Sequence, residues 1–486
     1  IYRKVENFSN NEFDKFGTAS LITRTTNDVN QIQMVMQMFL RLMINAPLTL
    51  IGASFMAYNK DPQLTKIFLY VLPIMAVLVG GIMFLAFPLF KSMQKKTDRL
   101  NLVFREGLTG VRVIRAFGKA NYEEQRFDEA NKDYTQTAIK VNTIVALMIP
   151  LMTLIMSGTN IAITWFGVHN IAEMQLEVGN LIAFMTYAMQ ILMSFMMLSM
   201  IFVMVPRAQA SADRINEVLN TDSEIKDVPN PELLSLKGDK ATLAFEHVNY
   251  RYQHAENLAL EDIDFSAKSG ETVAIIGGTG SGKTTLVNLL QRFYVVESGK
   301  ILLNGKNIKD TSQHNLREMI GFVPQKAVLF TGTIRENMQY GAPNATDEEI
   351  WQALEIAQAK AFVSELAEGL DSHVEQGGGN FSGGQRQRLA IARALVKPAD
   401  VYVFDDSFSA LDFKTDANLR KALKEQMTDA IVVLVAQRVS TVMEASTILV
   451  LDEGKLVGKG THEELLANNQ TYQEIVHSQL REEDLA

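Results

Sequence analysis

Three long stretches without a charged side chain constrain this chain more than any other feature. They cover 24, 28 and 28 residues, at positions 67–90, 141–168 and 179–206. About 20 apolar residues are enough for a helix to cross the hydrocarbon core of a bilayer, and buried core helices rarely need such a length. A weaker stretch at 42–59 has 18 uncharged residues. The sequence therefore predicts four membrane spans, at about residues 33–59, 64–90, 141–168 and 179–206.

The distribution of basic residues predicts how these spans are oriented. Residues 91–140 contain eleven Lys or Arg, whereas the connection at 169–178 contains none. Cytoplasmic loops carry this kind of excess positive charge. We therefore expect residues 91–140 and both ends of the chain to lie on the cytoplasmic side of the cell membrane.

The composition and the hydrophobic pattern of the sequence change after residue 206. Residues 207–239 are polar and include the proline-bearing stretch DVPNPELLSLKGDK, which predicts a linker. From residue 240 short β-branched runs alternate with helical segments, as in an α/β domain with a largely parallel sheet. The expected organisation is multidomain, with an all-α transmembrane helical domain at 1–206 followed by an α/β domain at 240–486.

Composition excludes several classes of function. The net charge of -9 and the lack of a basic tract argue against a nucleic-acid partner. The chain has no cysteine, so disulfides, thiolate metal sites and cysteine nucleophiles are excluded.

The stretch GGTGSGKTT has the pattern of a phosphate-binding loop, and it stands between a predicted strand, TVAII, and a predicted helix, LVNLLQRF. Glycines let backbone N–H groups turn toward phosphates, and the helix start adds the positive end of its dipole. We expect Lys283 to reach the terminal phosphates of ATP and the Thr284 hydroxyl to hold Mg²⁺. The candidate ATP-binding residues of this loop are Gly277, Gly278, Thr279, Gly280, Ser281, Gly282, Lys283, Thr284 and Thr285.

Two further segments complete the candidate site. Asp405 ends the apolar run VYVFD, and ligands of open α/β sheets bind at that end of the strands, so we expect it to be a second Mg²⁺ ligand. The segment FSGGQRQRLAIARAL begins a predicted helix. Its Ser382, Gly383 and Gly384 are candidates for another phosphate-facing helix start, although a simple glycine turn that caps a helix has the same pattern.

Five motifs now stand in the order and approximate spacing of an ATP-binding cassette (ABC) domain, which this chain resembles: GGTGSGKTT, FVPQ, FSGGQ, VFDDSFSALD and VAQRVST. The membrane half is similar to the exporter type of this family, notably in FDKFGTASLITRTTNDV. The resemblance implies a P-loop NTPase fold in which Tyr252 stacks on adenine. It also implies that Gln325 senses the phosphate and Mg²⁺, and that residues 409–412 link two ATP sites.

The resemblance has consequences for the membrane half as well. Exporters of this family have six spans before the cassette, so we expect two further spans upstream of Ile1. Residues 8–17 and 110–120 then correspond to coupling segments, each of which would seat a short helix on a cassette and convert cassette spacing into helix tilt.

Two residues depart from the family pattern. Asp406 stands where the resemblance implies a glutamate that orients the attacking water, and Gln437 stands where it implies a histidine that contacts the terminal phosphate. We therefore predict that the site built on Lys283 binds ATP and hydrolyses it slowly. The alternative is that Asp406 is a working carboxylate base.

ATP sites in this family are shared between two subunits. Ser382, Gly383, Gly384 and Gln385 would therefore act on a partner's site, and this element is intact apart from Phe381 in place of leucine. We expect a heterodimer with a second ABC half-transporter that supplies the missing glutamate and histidine.

The predicted spans say little about the transported compound. The three long runs contain no acidic or basic side chain, so a dedicated ion pathway is not expected in them. The resemblance favours export of amphipathic or hydrophobic compounds, and methionines suit an adaptable cavity as well as ordinary packing. Alternatives are a lipid or peptide exporter and a nucleotide-gated channel or regulator. The methionines that suit an adaptable cavity are at 185, 189, 193, 196, 197, 200 and 204.

Overall fold

The computed structural model describes residues 1–174, 176–253 and 255–479, with the side chains of all of these except 199–207. The chain forms two compact units. The helical unit contains Ala19–Asn220, and the sheet unit contains Tyr2–Thr18 together with the chain from Thr221 onward. Met200 and Met204 lie outside the described side chains.

The chain starts with two short helices of the sheet unit, α1 (Tyr2–Glu6) and α2 (Asn10–Phe16). The helical unit then follows. Its helices are α3 (Thr18–Thr25), α4 (Asn27–Lys60), α5 (Pro62–Thr109), α6 (Val111–Ala116), α7 (Ala120–Ala146), α8 (Met148–Ala172) and α9 (Val178–Asn220).

Four helical stretches of the described residues are long and apolar enough to cross a membrane: Thr18–Lys60, Pro62–Thr109, Ala120–Ala172 and Val178–Leu198. Each contains or overlaps one predicted span, so the prediction of four apolar helices is confirmed. Helix α5 has 48 residues and is about 72 Å long at 1.5 Å per residue, well beyond the thickness of a bilayer. Helix α9 ends at Asn220, past the predicted start of the linker at residue 207.

A buried carboxylate joins the start of α4 to the last turns of α9. Asp28 is only 3% exposed and accepts hydrogen bonds from both Nε and Nη2 of Arg214, the former at 2.8 Å. The Ser211 hydroxyl donates to the same carboxylate at 3.0 Å. Charge-assisted bidentate bonds of this kind fix two helices in a single register.

We expect Asp28→Ala to destabilise the helical unit by about 2–3 kcal/mol, because Arg214 and Ser211 lose a charged acceptor. The measurement is the thermal unfolding of the full-length protein in detergent. Asp128→Ala is the matched control, since Asp128 is exposed on α7 and lies 3.9 Å from Lys132. Equal decreases in the unfolding temperature of the two variants would show that Asp28 does not hold α4 and α9 together.

The sheet unit contains a ten-stranded sheet and a small two-stranded ribbon, β7–β8. The order in the large sheet is β5-β4-β1-β2-β12-β11-β3-β10-β9-β6. The strands are β1 (Thr242–Tyr250), β2 (Leu260–Lys268), β3 (Thr272–Gly277), β4 (Ser298–Leu303), β5 (Lys306–Asn307), β6 (Ile320–Val323), β7 (Gly332–Thr333), β8 (His373–Val374), β9 (Val401–Asp405), β10 (Ile431–Val435), β11 (Thr447–Asp452) and β12 (Lys455–Gly460).

After β3, the described part of the sheet unit contains ten α-helices. They are α10 (Lys283–Leu290), α11 (Gln313–Glu318), α12 (Ile334–Gln339), α13 (Asp347–Ile356), α14 (Lys360–Ser364), α15 (Gly383–Leu395), α16 (Phe413–Gln426), α17 (Val439–Val442), α18 (His462–Asn468) and α19 (Gln470–Gln479).

Strands β11, β3, β10, β9 and β6 form a continuous parallel part of the sheet, and β12 also pairs in parallel with β2. Strands β9 and β10 are buried along their whole length, which explains why their sequences are continuous apolar runs rather than alternating ones. Strands β1, β2, β4 and β5 pair antiparallel, so the sheet is mixed where the sequence predicted a largely parallel one. The carboxyl ends of the parallel strands meet at one edge, and this edge carries the candidate site.

Candidate nucleotide-binding site

The loop between β3 and α10 depends on glycine at two positions. A Cβ at Gly277 would lie 2.1 Å from the Leu451 carbonyl oxygen of β11, so a larger residue would push the strands apart. Gly282 has a φ of 102°, and a Cβ there would lie 2.7 Å from Leu260 Cδ2. Only glycine combines this conformation with this close approach, which fixes the path of the loop.

Lys283 opens α10 and is held inside this loop. Its Nζ donates to the carbonyl oxygens of Gly277 at 2.9 Å and Gly278 at 2.6 Å. Burial lowers the pKa of Lys283, while the nearby charges of Asp406 and Asp405 act in the opposite direction. Lys283 is therefore a buried positive charge, and nearby anions stabilise its charged form.

Asp405 ends β9 next to the first helical turn. Its Oδ1 accepts a hydrogen bond from the Thr284 hydroxyl at 3.2 Å. Burial raises the pKa of Asp405, and the Thr284 hydrogen bond opposes that shift. Hydroxyl, carboxylate and amide oxygens suit Mg²⁺, so Thr284, Asp405 and the nearby Gln325 form a donor set that fits this ion. When bound, the ion would neutralise phosphate charge.

Asp406 accepts hydrogen bonds from two glutamine side chains at a single oxygen. Gln325 Nε2 donates to Asp406 Oδ2 at 3.2 Å, and Gln437 Nε2 donates to the same atom at 2.8 Å. The backbone of Asp406 has a φ of 47°, a left-handed conformation that aspartate tolerates better than most residues. The two residues that depart from the family pattern are therefore in direct contact.

A cavity of about 1040 Å³ opens above these groups. That volume is large enough for a nucleotide. The residues predicted from sequence that line it are Tyr252, Thr279, Gly280, Gly282, Lys283, Thr284, Thr285, Gln325, Asp405, Asp406 and Gln437. Gly277, Gly278 and Ser281 support the loop from behind through their contacts with Lys283.

The SGGQ element lies away from this cavity. None of Ser382, Gly383, Gly384 and Gln385 is among the described residues that line it. Ser382 instead caps α15: its hydroxyl accepts from Gln385 N at 3.3 Å, and Gln385 Oε1 accepts from Ser382 N at 2.9 Å. The capping box fixes the exposed N-terminus of this 13-residue helix, whose later turns are buried.

Two buried tyrosines lie beside Tyr252 and were not predicted from the sequence. Tyr250 and Tyr294 are 3% and 8% exposed, and both contact the Tyr252 ring. The short patterns YRY and RFY, at 250–252 and 292–294, are the sequence signal that could have found them. Arg251, Glu453 and Gly454 also line the cavity and were not predicted.

The deprotonated form of Asp405 should control the Mg²⁺-dependent part of ATP affinity. Because burial raises the pKa of Asp405 above the ordinary value of 3.8, this affinity should fall at a higher pH, as the pH is lowered, than it would with an exposed aspartate. Asp405→Asn should remove both the Mg²⁺ dependence and this pH dependence. Fluorescent ATP-analogue titrations with and without Mg²⁺ measure both effects.

Asp452→Asn is the matched control, because Asp452 is an exposed aspartate at the end of the parallel strand β11. It should leave binding unchanged. Tight, Mg²⁺-dependent binding by Asp405→Asn would exclude Asp405 as a metal ligand.

Comparison with known proteins agrees with this geometry. Residues 1–195 match the family described as ABC transporter transmembrane region, and residues 260–409 match the ABC transporter family. The chain belongs to the ABC transporters. It has the architecture of an exporter half-transporter, with a helical membrane domain followed by an ATP-hydrolysing cassette, and such exporters act as dimers in a membrane.

Several relatives support this membership. An uncharacterized ABC transporter ATP-binding protein of Mycobacterium tuberculosis is 41% identical over 482 residues, covering 99% of this chain and 82% of that protein. A fatty acid ABC transporter ATP-binding/permease protein of the same species is 33% identical over 98% of this chain and 74% of its own length. The structure of a bacterial Atm1-family ABC exporter with ATP bound has a TM-score of 0.83 at 26% identity, over 99% of this chain and 84% of that one.

Proposed function

We propose that this chain is one half of a heterodimeric ABC exporter, with an ATP site of its own that is used mainly for binding. The observation that carries the proposal is the contact of Asp406 Oδ2 with the amides of both Gln325 and Gln437. In this proposal Lys283 and the loop around it hold the phosphates, Tyr252 stacks on adenine, and Mg²⁺ is held by Thr284, Asp405 and Gln325.

Side-chain length supports slow hydrolysis. Aspartate is one methylene shorter than glutamate, so its carboxylate lies about 1.5 Å further from a water near the terminal phosphate. A misplacement of about 1 Å can lower a rate about 100-fold. In addition, Asp406 Oδ2 is already engaged by two amide donors, which compete with an attacking water for that oxygen.

The residue at position 437 supports the same conclusion. A glutamine amide donates and accepts hydrogen bonds, but it carries no charge and transfers no proton near neutral pH. A histidine does both. Gln437 therefore keeps a polar contact in the cavity, but it cannot supply the charge or the proton transfer that a histidine would supply.

We expect Asp406→Glu together with Gln437→His to raise ATP turnover by the purified full-length chain about 100-fold. Each single variant should recover only a small part, because each leaves one of the two defects in place. Turnover is measured as steady-state phosphate release, and ATP affinity is measured in parallel. A wild-type chain that already hydrolyses ATP as fast as the double variant would show that Asp406 is a working base.

The SGGQ element supports the assignment of a partner. Ser382 and Gln385 are oriented by their own capping box, and they stand apart from the cavity of their own chain. An exposed helix N-terminus offers N–H groups and a positive dipole end to an anion. We assign Ser382, Gly383, Gly384 and Gln385 to the hydrolytic site of the other subunit.

In the complex with its partner, Ser382→Ala should lower ATP turnover at least tenfold while ATP binding to this chain persists. Thr461→Ala is the matched control, because Thr461 caps α18 with an equal 3.3 Å bond to Glu464 N. Both variants lose one N-cap, which costs about 1 kcal/mol of stability. Equal losses of turnover would mean that Ser382 acts only through helix stability.

The membrane half supports an amphipathic or hydrophobic substrate. The runs 67–90, 141–168 and 179–206 contain no charged side chain, so a charged ion would find no partner in them. A fatty acid or another lipid is the second candidate, favoured by the 33% identity to the fatty acid transporter. Dye efflux and the flipping of labelled lipid, measured in the same vesicles, separate the two substrate classes.

A further inference from the structure

The segment that carries Gln437 connects strand β10 to the short helix α17. This helix has only four residues and begins directly after Arg438. The first N–H groups of a helix need hydrogen-bond acceptors from outside the helix, and an arginine side chain has no acceptor to offer. The N-terminus of α17 therefore depends on an acceptor from another part of the chain.

Helix α19 supplies this acceptor through Gln479. Gln479 Oε1 accepts a hydrogen bond from Val439 N at 2.8 Å, and Gln479 Nε2 donates to the Gln437 carbonyl oxygen at 2.7 Å. A single side-chain amide thus binds the two backbone groups on either side of Arg438. Because hydrogen bonds are directional, this pair of bonds fixes the orientation of residues 437–439 as well as their position.

Apolar packing holds α19 against the same segment. Tyr472 and Val476 are fully buried, and they lie on the same face of α19 as Gln479, because positions i, i+4 and i+7 are neighbours on a helix. They share one hydrophobic cluster with Ala436 and Val439, which flank residues 437 and 438. The Gln479 side chain is therefore presented by a helix that is itself anchored beside the segment.

Arg438 ties this segment to a second part of the chain. Its Nη2 donates to the Ser409 carbonyl oxygen at 3.1 Å, and its guanidinium lies 5.2 Å from the centre of the Phe413 ring. Ser409 and Phe413 both follow strand β9. Residues 437–439 are thus bonded both to α19 and to the chain after β9, which restricts the movement of their backbone.

The position of this backbone matters to the nucleotide cavity because of the Gln437 side chain. Gln437 lines the cavity, and its Nε2 donates to Asp406 Oδ2 at 2.8 Å. The amide nitrogen of a glutamine carries two N–H groups, so one can bond Asp406 while the other meets a phosphate. Gln479 is not among the described residues that line the cavity, so its effect on a nucleotide passes through residues 437–439.

We propose that Gln479 is a positioning residue of the ATP site, which holds the backbone of Gln437 so that its side-chain amide meets the terminal phosphate of ATP. The proposal rests on the proposed function in one respect, which is that ATP binds in this cavity with its terminal phosphate near Lys283 and Gln437. It is independent of whether Asp406 is a working base. Helix α19 thereby takes part in distinguishing ATP from ADP, since ADP lacks the phosphate that Gln437 meets.

Affinities for ATP and ADP test this inference when both are measured on the full-length chain in lipid nanodiscs with Mg²⁺. Gln479→Met removes both hydrogen bonds and nearly conserves the side-chain volume. It should weaken ATP binding about fivefold, as expected for one lost hydrogen bond, and leave ADP binding unchanged. Retained ADP binding also shows that the cavity is folded. Equal weakening for the two nucleotides, or no weakening for either, would overturn the inference.

A double variant tests whether Gln479 acts through Gln437. Gln437→Ala should weaken ATP binding about fivefold by itself and leave ADP binding unchanged. Adding Gln479→Met should cause no further loss, because two changes that remove one shared contact are not additive. Additive losses would show that Gln479 acts independently of Gln437. A Gln437→Ala chain that binds ATP as tightly as the wild type would also contradict the proposal.

Gln473→Met is the matched control on the same helix. Gln473 Nε2 donates to the Leu466 carbonyl oxygen at 2.7 Å, so this variant also loses a hydrogen bond from a glutamine of α19 to the backbone. Gln473 is not among the described residues that line the cavity. Its replacement should leave the ratio of the ATP and ADP affinities unchanged. A fivefold change of this ratio in the control would mean that α19 acts through its general stability.

The failure of this inference is distinguishable from the failure of the proposed function. If the wild-type chain binds neither nucleotide, the proposed function is wrong and the role of Gln479 is wrong with it. If the wild-type chain binds ATP and Gln479→Met leaves the ratio of the two affinities unchanged, the role of Gln479 alone is wrong.

Discussion

The burial of three charged groups at one edge of the sheet is the constraint on which the rest of the cassette depends. Lys283, Asp405 and Asp406 are each less than a tenth exposed. Burial penalises the charged form of the lysine and of Asp405 alike, and only their mutual attraction and their hydrogen bonds offset that penalty. The charges are held together because fully buried strands end at this edge and fix the backbone that carries Asp405 and Asp406. A bound triphosphate and its cation would add charges that offset the remaining cost of burying these groups.

Much of this arrangement could be predicted from the sequence because local patterns encode it. The loop before Lys283 needs glycine for backbone reasons, and β9 and β10 are apolar because both of their faces are covered. Strand β2 is harder to predict from LEDIDFSAK, because the charged residues of its exposed face obscure the alternating burial of the apolar ones. The contacts of Tyr294 with Tyr250 and Tyr252 were not predicted, because they join segments that are far apart in sequence.

The contact between Asp406 and Gln437 shows what a list of motifs leaves out. Taken separately, each residue is a departure from the family pattern with its own alternative explanation. In the fold they lie 2.8 Å apart, and a short carboxylate and a neutral amide complement each other at that distance. A longer carboxylate would displace the amide, so the two positions are coupled and the properties of one depend on the other. The distance comes from the pairing of β9 with β10, which places the segments after both strands side by side.

The membership of α2 in the sheet unit has a consequence for the order of assembly. Glu12 meets Glu224 across 212 positions, and Lys4 meets Asp222 across 218. During synthesis α2 therefore leaves the ribosome before helices α3 to α9, and it can dock only after the chain around Glu224 has been made. Closing such a long loop is slow, and domains usually fold in the order of their synthesis. The docking of α2 is then a later step than the synthesis of α3 to α9, and the contacts of Glu12 and Lys4 with residues 222–224 form only after it.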